Sequence, residues 1–512
     1  MLHATMNPPN DDATQDPSNP RGFQWDNVSR IAARTRDTVL GVLTLAGHAT
    51  RRVHALARTI DRDGRQVVAD AAALWASIQI ASRRAEATWQ ATPRIARLLR
   101  EVARVAAIYQ LHHLKVGFFA ESRQVELTTA LHHREGARIR AFCEEMGGGL
   151  LKVGQLLSAR ADLLPEAWVQ ELASLQDRVP PADLAEVMAL LKAEVPDFDS
   201  LFSEFDEAPV AAASLAQVHR AHLADGRVVA VKIQRPGIDR VIAQDQRALA
   251  VVADIFGGVM SGFDAGPFLR EVAVSLGEEL DFRAEAVMGS RFRAAFGDSV
   301  AIPLVVGPTT ERVLVMDFIE ALRLPDFLAS AVDSDRDTIL ADLARTIAAG
   351  MLVHGLVHGD PHPGNFLVIP ANETSSPRLV MLDFGAALVL TETERRAYVE
   401  LLPALFSRNE AIVAHLLTEL GFTAPDPAAP AAFALVIASS LVPQDLASID
   451  PRAELERGLA LAKLYPGLVV PTHFVRISRA LAAVSGVFMQ YRPDLNLGAL
   501  LMQVLVKASA PR

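Results

Sequence analysis

Residues 358–365 read His-Gly-Asp-Pro-His-Pro-Gly-Asn. Their prolines and glycines keep this stretch out of a helix, because proline fixes φ and lacks an N–H. Asp360 and Asn365 therefore project from a rigid loop. A carboxylate there can take up or orient a hydroxyl proton, and an amide oxygen five residues on can ligate a hard cation. The strand-like run Arg378–Leu382 then delivers Asp383, at the head of Asp383-Phe384-Gly385, to a strand end. His358 and His362 do not have helical spacing across Pro361, so their expected role is to structure the loop through hydrogen bonds.

A second constraint lies upstream. Val229-Ala230-Val231-Lys232 puts a lysine inside an apolar strand. Such a lysine needs an anionic partner if it is buried, and taken alone it reads as an edge-strand residue facing water. Before it comes a small-residue turn, Ala211-Ala212-Ala213-Ser214, where a phosphate-covering loop would lie. The order Lys232, then Asp360 with Asn365, then Asp383-Phe384-Gly385 is that of a protein-kinase-like phosphoryl-transfer site. Asn365 and Asp383 would hold magnesium, which favours hard oxygen ligands and completes its shell with phosphate oxygens and water. Met316-Asp317-Phe318-Ile319 follows a strand run, where a hinge would offer backbone groups to adenine. Two departures restrict the substrate. Gly359 stands where many protein kinases have an arginine, and no Ala-Pro-Glu segment separates Asp-Phe-Gly from the helical pattern Thr391–Leu402. Phosphorylation of peptides is disfavoured.

The hydrophobic period supports this architecture. Helical patterns rich in Ala, Arg and Leu run from about Trp25 to Val116. The clearest is Pro93–Leu111, with Ile95, Leu98, Leu99, Val102, Val105 and Ala106 on one face. A helical block over Glu121–Leu191 breaks near Gly147-Gly148-Gly149 and Pro180-Pro181. Residues 209–235 hold two strand-like runs joined by the hairpin signal Asp225-Gly226. Helical patterns fill Ile238–Phe296, strand runs follow at Ile302–Val306 and Arg312–Met316, and the rest is mainly helical. The expected fold is α+β: a kinase-like bilobal structure with a small sheet-bearing lobe, a helical lobe and a helical N-terminal extension. Its divisions are a disordered tail at 1–20, a basic helical region at 21–120, a helical extension at 121–205, an N-lobe with inserted helices at 206–320 and a C-lobe at 321–512.

Composition excludes several classes. Of 512 residues, half are hydrophobic and 21% charged, enough for a large core and too apolar for a disordered chain. The single cysteine, Cys143, forms no internal disulfide and fits a reducing compartment. Mean hydropathy is +0.21, yet no uninterrupted apolar run reaches the roughly 18 residues of a membrane span. Thr38–Ala46, Ala248–Phe263 and Ala431–Val442 are too short or carry a charge. The net charge of −10 hides a basic stretch, since residues 21–120 carry about 16 Arg/Lys against 7 Asp/Glu. Those arginines are not interleaved with aromatics and carry no recognition motif, so a nucleic-acid partner is not expected. Helices such as Pro93–Leu111 instead suit peripheral contact with anionic lipid headgroups.

Two clusters lie outside the core motifs. Lys152 and Gln155 of Lys152-Val153-Gly154-Gln155 sit at i and i+3 on one helix face, and Glu278, Glu279, Asp281 and Glu285 crowd acidic charge within two turns of expected helix. Each alone reads as a solvated helix face. With residues 152–165 (KVGQLLSARADLLP), 211–219 (AAASLAQVH), 229–237 (VAVKIQRPG), Glu279–Glu285, His358–Asn365 and Asp383–Gly385 in this order, the sequence resembles the UbiB/AarF family of atypical kinase-like proteins over about residues 93–500.

The resemblance implies roles for individual residues. Lys232 looks like the phosphate-contacting lysine and Glu285 like its partner on the C-helix. Asp360 resembles the catalytic-loop aspartate, and Asn365 and Asp383 the magnesium ligands. Lys152 and Gln155 resemble a helix that folds over the active site, with Glu279 and Asp281 the acidic pair facing it. The alanine-rich loop implies ATPase or small-molecule chemistry rather than protein phosphorylation. ATP and magnesium are the implied cofactors, and a prenyl lipid or quinone precursor and its biosynthetic enzymes the implied partners. The tail Val475–Arg512 departs from family members with C-terminal transmembrane helices, so the expected location is cytoplasmic, peripheral on the inner face of a membrane. Two other readings are a small-molecule phosphotransferase, since His-Gly-Asp loops also resemble aminoglycoside and choline kinases, and a non-catalytic nucleotide-gated scaffold.

Overall fold

A computed structural model describes residues 93–510 apart from 117–120, 159–163, 176–178, 258–271, 275, 408, 427–429, 432–470 and 492–494. The expectations for residues 1–92, and for Thr38–Ala46 and most of Ala431–Val442, lie outside the described residues. The chain divides into two units, Met1–Gln90 and Ala91–Arg512, and every described residue belongs to the second.

Helix α1 (Pro93–Val116) opens on a proline, whose missing N–H would have no intrahelical partner there anyway. Its apolar stripe, Ile95, Leu98 and Leu99, is buried in the protein's own packing. Arg94, Arg97 and Arg104 pair with Asp245, Glu145 and Glu135. The helix expected to rest on lipid headgroups thus uses its apolar stripe and these three cations within the protein. Next come α2 (Glu121–Met146), α3 (Gly149–Ser158), α4 (Glu166–Ala173), α5 (Leu184–Glu194, capped by Asp183) and the short α6 (Phe198–Leu201). The break between α2 and α3 falls where expected. Gly147 and Gly148 adopt φ of +57° and +59°, a region that favours glycine.

The N-lobe sheet contains β1 (Phe202–Phe205), β2 (Ala211–Ala212), β3 (Ala216–Leu223), β4 (Val228–Gln234), β5 (Val305–Thr309) and β6 (Val313–Asp317). It is antiparallel in the order β1-β3-β4-β6-β5, with β2 on β3. The β3–β4 hairpin turns at Gly226, φ +87°. Period two sorts the faces of β4. Val229, Val231 and Ile233 pack with Val187 and Leu191 of α5, which leaves Ala230 and Lys232 on the opposite face. Inserted helices, α7 (Ile238–Gly257) and α8 (Phe282–Phe296) among them, separate β4 from β5 in sequence.

Two elements are displaced from their expected bounds. The run Ile302–Val306 enters the sheet only at Val305, because Ala301 instead bridges Val380 in the C-lobe and Ile302 is buried with C-lobe residues. The helix expected across Glu279–Glu285 is interrupted, since the chain turns at Glu279–Leu280 and α8 starts afresh behind Asp281. Asp281 caps it by accepting from the Arg283 N–H.

The C-lobe holds β7 (Leu322–Arg323), α9 (Leu324–Ser330), α10 (Asp333–Ala349), β8 (Leu356–Val357), β9 (Phe366–Ile369), β10 (Arg378–Met381), β11 (Leu388–Val389), α11 (Glu392–Phe406), α12 (Glu410–Glu419), α13 (Thr472–Tyr491) and α14 (Leu497–Ser509). Short antiparallel pairs, β10-β9-β7 and β11-β8, frame the loop that carries Asp360. Thr391 and Glu394 form a reciprocal capping box that starts α11 only six residues after Gly385. Ile477 of α13 and Val504 and Leu505 of α14 are buried in a C-lobe core. Among the described residues, no helix is long and apolar enough to cross a membrane.

Candidate active site

Lys232 is not an edge-strand residue. β4 lies between β3 and β6, and the Lys232 side chain is only 12% exposed. Its ammonium donates to both oxygens of Glu285, at 2.7 and 2.8 Å, and lies 3.5 Å from Asp383 Oδ1. The Phe282 ring sits 5.0 Å away, adding a cation–π contact. Glu285 comes from the first turn of α8 and is buried. Burial works against the ammonium, but the charges of Asp383 and Glu285 override it and hold Lys232 protonated. Burial pushes the Glu285 carboxyl up to about 7; Lys232 opposes this and the negative charge of Asp383 supports it.

The Asp360 loop is held from both sides. His358 Nε2 bonds the Leu382 carbonyl at 3.0 Å, the Leu382 N–H donates to the Asn365 carbonyl at 2.9 Å, and Asn365 Nδ2 donates to the Asp360 carbonyl at 2.9 Å. His362 Nδ1 accepts the Gly364 N–H. Both histidines structure the loop. Gly359 has φ +78°, and a Cβ there would run into the Ala386 carbonyl, so the loop has no room for the arginine of ordinary kinases. Phe384 is buried over Gly289 of α8, 5.0 Å from Phe292 and 5.5 Å from His358. That packing turns Asp383 toward Lys232, at the one positive φ (+58°) found for a non-glycine among the described residues. Desolvation by the cleft opposes ionisation of Asp383, whose side chain is still 48% exposed, but Lys232 outweighs it and the carboxyl lies below the usual range.

Lys152 of α3 enters the same cleft. Its ammonium donates to Asp360 Oδ2 at 3.0 Å and pairs with Glu279 at 3.4 Å. Gln155 does not join it, because Gln155 Nε2 donates to the Leu175 carbonyl at 3.4 Å. Gly154 presses against Leu175 and Cys143, where a side chain would collide. The three marked residues therefore do three things: one reaches the cleft, one permits close packing and one fastens the helix. The acidic crowd is similarly dispersed, since Glu278 pairs with Arg476, Glu279 with Lys152 and Glu285 with Lys232, while Asp281 caps α8. It is not a solvated helix face.

The other expected nucleotide residues line the sheet. Ala211 and Ala212 pair with Val218 and Gln217, and the Ala213 N–H donates to Ala216, closing a tight turn around buried Ser214. Met316 lies opposite Ala230 on β6. The Asp317 N–H donates to Leu304 and the Phe318 N–H to Val228, so neither is available to a base; Ile319 is the second residue beyond β6. Sequence reasoning took Phe384 only as part of Asp-Phe-Gly and missed that its packing aims Asp383. Phe292 and Phe296 stand one helical turn apart on α8, whereas Phe384 lies in a loop with no period to mark it.

The donor set suits magnesium. Asn365 uses its Nδ2 on the Asp360 carbonyl, which leaves its oxygen as the ligating atom, and Asp383 is an ionised carboxylate in the same loop framework. Among the described residues there is no group of three or more His, Cys, Asp or Glu arranged for a metal. A hard ion held by one amide and one carboxylate would complete its shell with phosphate and water, as magnesium does.

The chain is similar to several known proteins. Residues 174–417 match the model of the ABC1 atypical kinase-like domain. The AarF domain-containing protein kinase 1 of Xenopus tropicalis is 32% identical over 325 residues, covering 62% of this chain and 62% of that one. The probable protein kinase UbiB of Cellvibrio japonicus is 32% identical over 377 residues, covering 71% of this chain and 67% of that one. A solved Mycobacterium tuberculosis protein in complex with erythromycin aligns over 76% of this chain and 100% of its own, at 24% identity and a TM-score of 0.48. With this motif order, this bilobal α+β architecture and relatives of this extent, the chain belongs to the UbiB/AarF family of atypical kinase-like proteins.

Proposed function

We propose that this protein is a magnesium- and ATP-dependent ATPase or atypical kinase of the UbiB type. The observation that carries the reading is Lys232, 12% exposed and bonded to both oxygens of Glu285 with Asp383 beside it. Lys232 binds the phosphates, Asp360 orients the nucleophile, and Asn365 and Asp383 hold the metal. Magnesium, when bound, neutralises phosphate charge as it develops. Ala211, Ala212, Ala213 and Ser214 cover the phosphates, and Met316, Asp317 and Ile319 flank the base. Lys152 and Glu279 form the regulatory contact over Asp360, with Gln155 fastening the helix that carries Lys152 and Asp281 capping α8 just after the Glu279 turn.

Lys152 argues against a small-molecule phosphotransferase. It occupies the Asp360 carboxylate that an acceptor hydroxyl would need. Removing it should free that carboxylate. Lys152→Met is expected to raise phosphoryl transfer by about tenfold, the effect of one charge-assisted hydrogen bond on the reacting group. A tenfold fall would instead make Lys152 part of the phosphate-binding machinery.

Turnover should also depend on pH. Below about 7 Glu285 becomes protonated and no longer holds Lys232 as an ion pair, so kcat/KM for ATP should climb with pH and level off above that value. Glu285→Gln is expected to abolish this limb. An unchanged limb in that variant would assign the titration elsewhere.

The names of the UbiB relatives support a role in ubiquinone or other prenyl-lipid biosynthesis, with a quinone precursor or its biosynthetic enzymes as partners and peripheral contact with a membrane's inner face. Quinone profiling in a deletion strain, complemented with the wild type or with Asp383→Asn, tests that role. Restored quinones from the wild type alone are expected. No quinone change between the deletion strain and the complemented strains would remove the pathway assignment and leave the nucleotide site standing.

A further inference from the structure

Asp245 of α7 is buried, with its side chain 2% exposed. It meets Arg94 of α1 through two hydrogen bonds, Nε to Oδ1 at 2.7 Å and Nη2 to Oδ2 at 2.9 Å. The same guanidinium donates to the Met146 carbonyl at 2.6 Å and the Gly147 carbonyl at 2.9 Å, at the end of α2. The Asp245 carboxylate also lies against Gly149, with the backbone N–H groups that start α3 lowering the cost of its charge. One buried ion pair therefore closes the corner between two helices. Its cation faces the carbonyl end of α2 and its anion the N–H end of α3, the arrangement that both helix dipoles favour.

The corner is cut to fit α7. A Cβ on Gly148 would lie 2.7 Å from Val241 Cγ1, and one on Gly149 would lie 2.7 Å from Asp245 Oδ2. Glycine at both positions lets the backbone seat directly on α7. Lys152 follows within the first turn of α3, so the place where α3 begins determines whether its ammonium reaches Asp360 and Glu279.

We propose that Arg94 and Asp245 are positioning residues that latch the Gly147–Gly149 corner to α7, and so hold Lys152 on Asp360. Opening the latch releases the Asp360 carboxylate. The catalytic consequence rests on the function proposed above, whereas the positioning itself is testable without turnover.

The folded full-length chain is treated with an amine-reactive N-hydroxysuccinimide ester, and labelling of single lysines is quantified by peptide mass spectrometry. Lys152, 11% exposed and ion-paired, should label slowly beside Lys192, which is 51% exposed. Asp245→Asn should raise Lys152 labelling about tenfold, the shift that one lost charge-assisted bond makes in a two-position equilibrium. Labelling of Lys192, and of Lys232 in the same cleft, should not change. Wild-type labelling of Lys152 in a variant that melts cooperatively would overturn the proposal. An equal rise at Lys232 would also overturn it, because that marks general loosening. Should Asp245→Asn fail to fold, Arg94→Lys keeps the charge but loses the fork that spans the carboxylate and two carbonyls, and the same outcomes decide. With turnover in hand, Asp245→Asn should alter kcat in the wild type and have no further effect in a Lys152→Met background. Equal effects in both backgrounds would contradict a latch that acts through Lys152. A wild type without turnover would remove the functional reading and leave the labelling result to decide the latch.

Discussion

Asp383→Asn is expected to lower magnesium-dependent ATP hydrolysis by on the order of 10²–10³-fold, the loss typical of removing one preorganised electrostatic group from a reacting centre. Asparagine keeps the size of the side chain and removes its charge. The consequence is concentrated because several contacts aim that one carboxylate. The buried Phe384 ring packs on Gly289 and Phe292 of α8, and His358 fastens the preceding Leu382 carbonyl. Asp383 is left at φ +58° with its oxygen 3.5 Å from Lys232. Lys232 keeps both bonds to Glu285 in the variant, so no cation is stranded in the interior and folding should survive. A steady-state phosphate-release assay, paired with a melting curve, separates the two effects. Undiminished turnover in a folded variant would remove Asp383 from the chemistry.

Gly359→Ala is expected to destabilise the protein by about 4 kcal/mol, from a strained φ and a steric collision together. Both terms are local to one position. The φ of +78° disfavours any side chain, and the added Cβ meets the backbone carbonyl of Ala386, which cannot rotate aside as a side chain would. Urea unfolding of the wild type and the variant measures the difference; a loss under about 1 kcal/mol would mean that the loop yields more readily than its geometry implies. The absent arginine is a consequence of how closely the loop lies against the segment after Asp-Phe-Gly. Thr391, six residues after Gly385, caps α11 together with Glu394.

What could be read in the sequence was what repeats or punctuates. Val229, Val231 and Ile233 alternate, so a strand with Lys232 on its other face was legible. Gly147-Gly148-Gly149 and Pro93 marked a helix break and a helix start. Glu285 was legible only through the family resemblance, since 53 residues separate it from Lys232. The pairing of Arg94 with Asp245, 151 residues apart, had no such guide. Local reading also failed where tertiary contacts outweighed propensity. Ile302 has a strand-like neighbourhood but is drawn into the C-lobe core, and Asp281 interrupts a helical pattern because its carboxylate caps the next helix. The direction of Gln155 was lost for a related reason. Spacing of i and i+3 puts two residues near each other on a helix, but the partner of Gln155 is the end of the neighbouring α4 segment, at Leu175.

The central claim is that the cleft between Lys232, Asp360, Asn365 and Asp383 is a magnesium-dependent nucleotide site. Calorimetric titration of the full-length chain with ATP, in magnesium and again in EDTA, tests it most directly. Binding in magnesium that weakens by at least about tenfold in EDTA, and equally in Asp383→Asn, is the expected result. No binding by the wild type, or the same affinity with and without the metal, would contradict it.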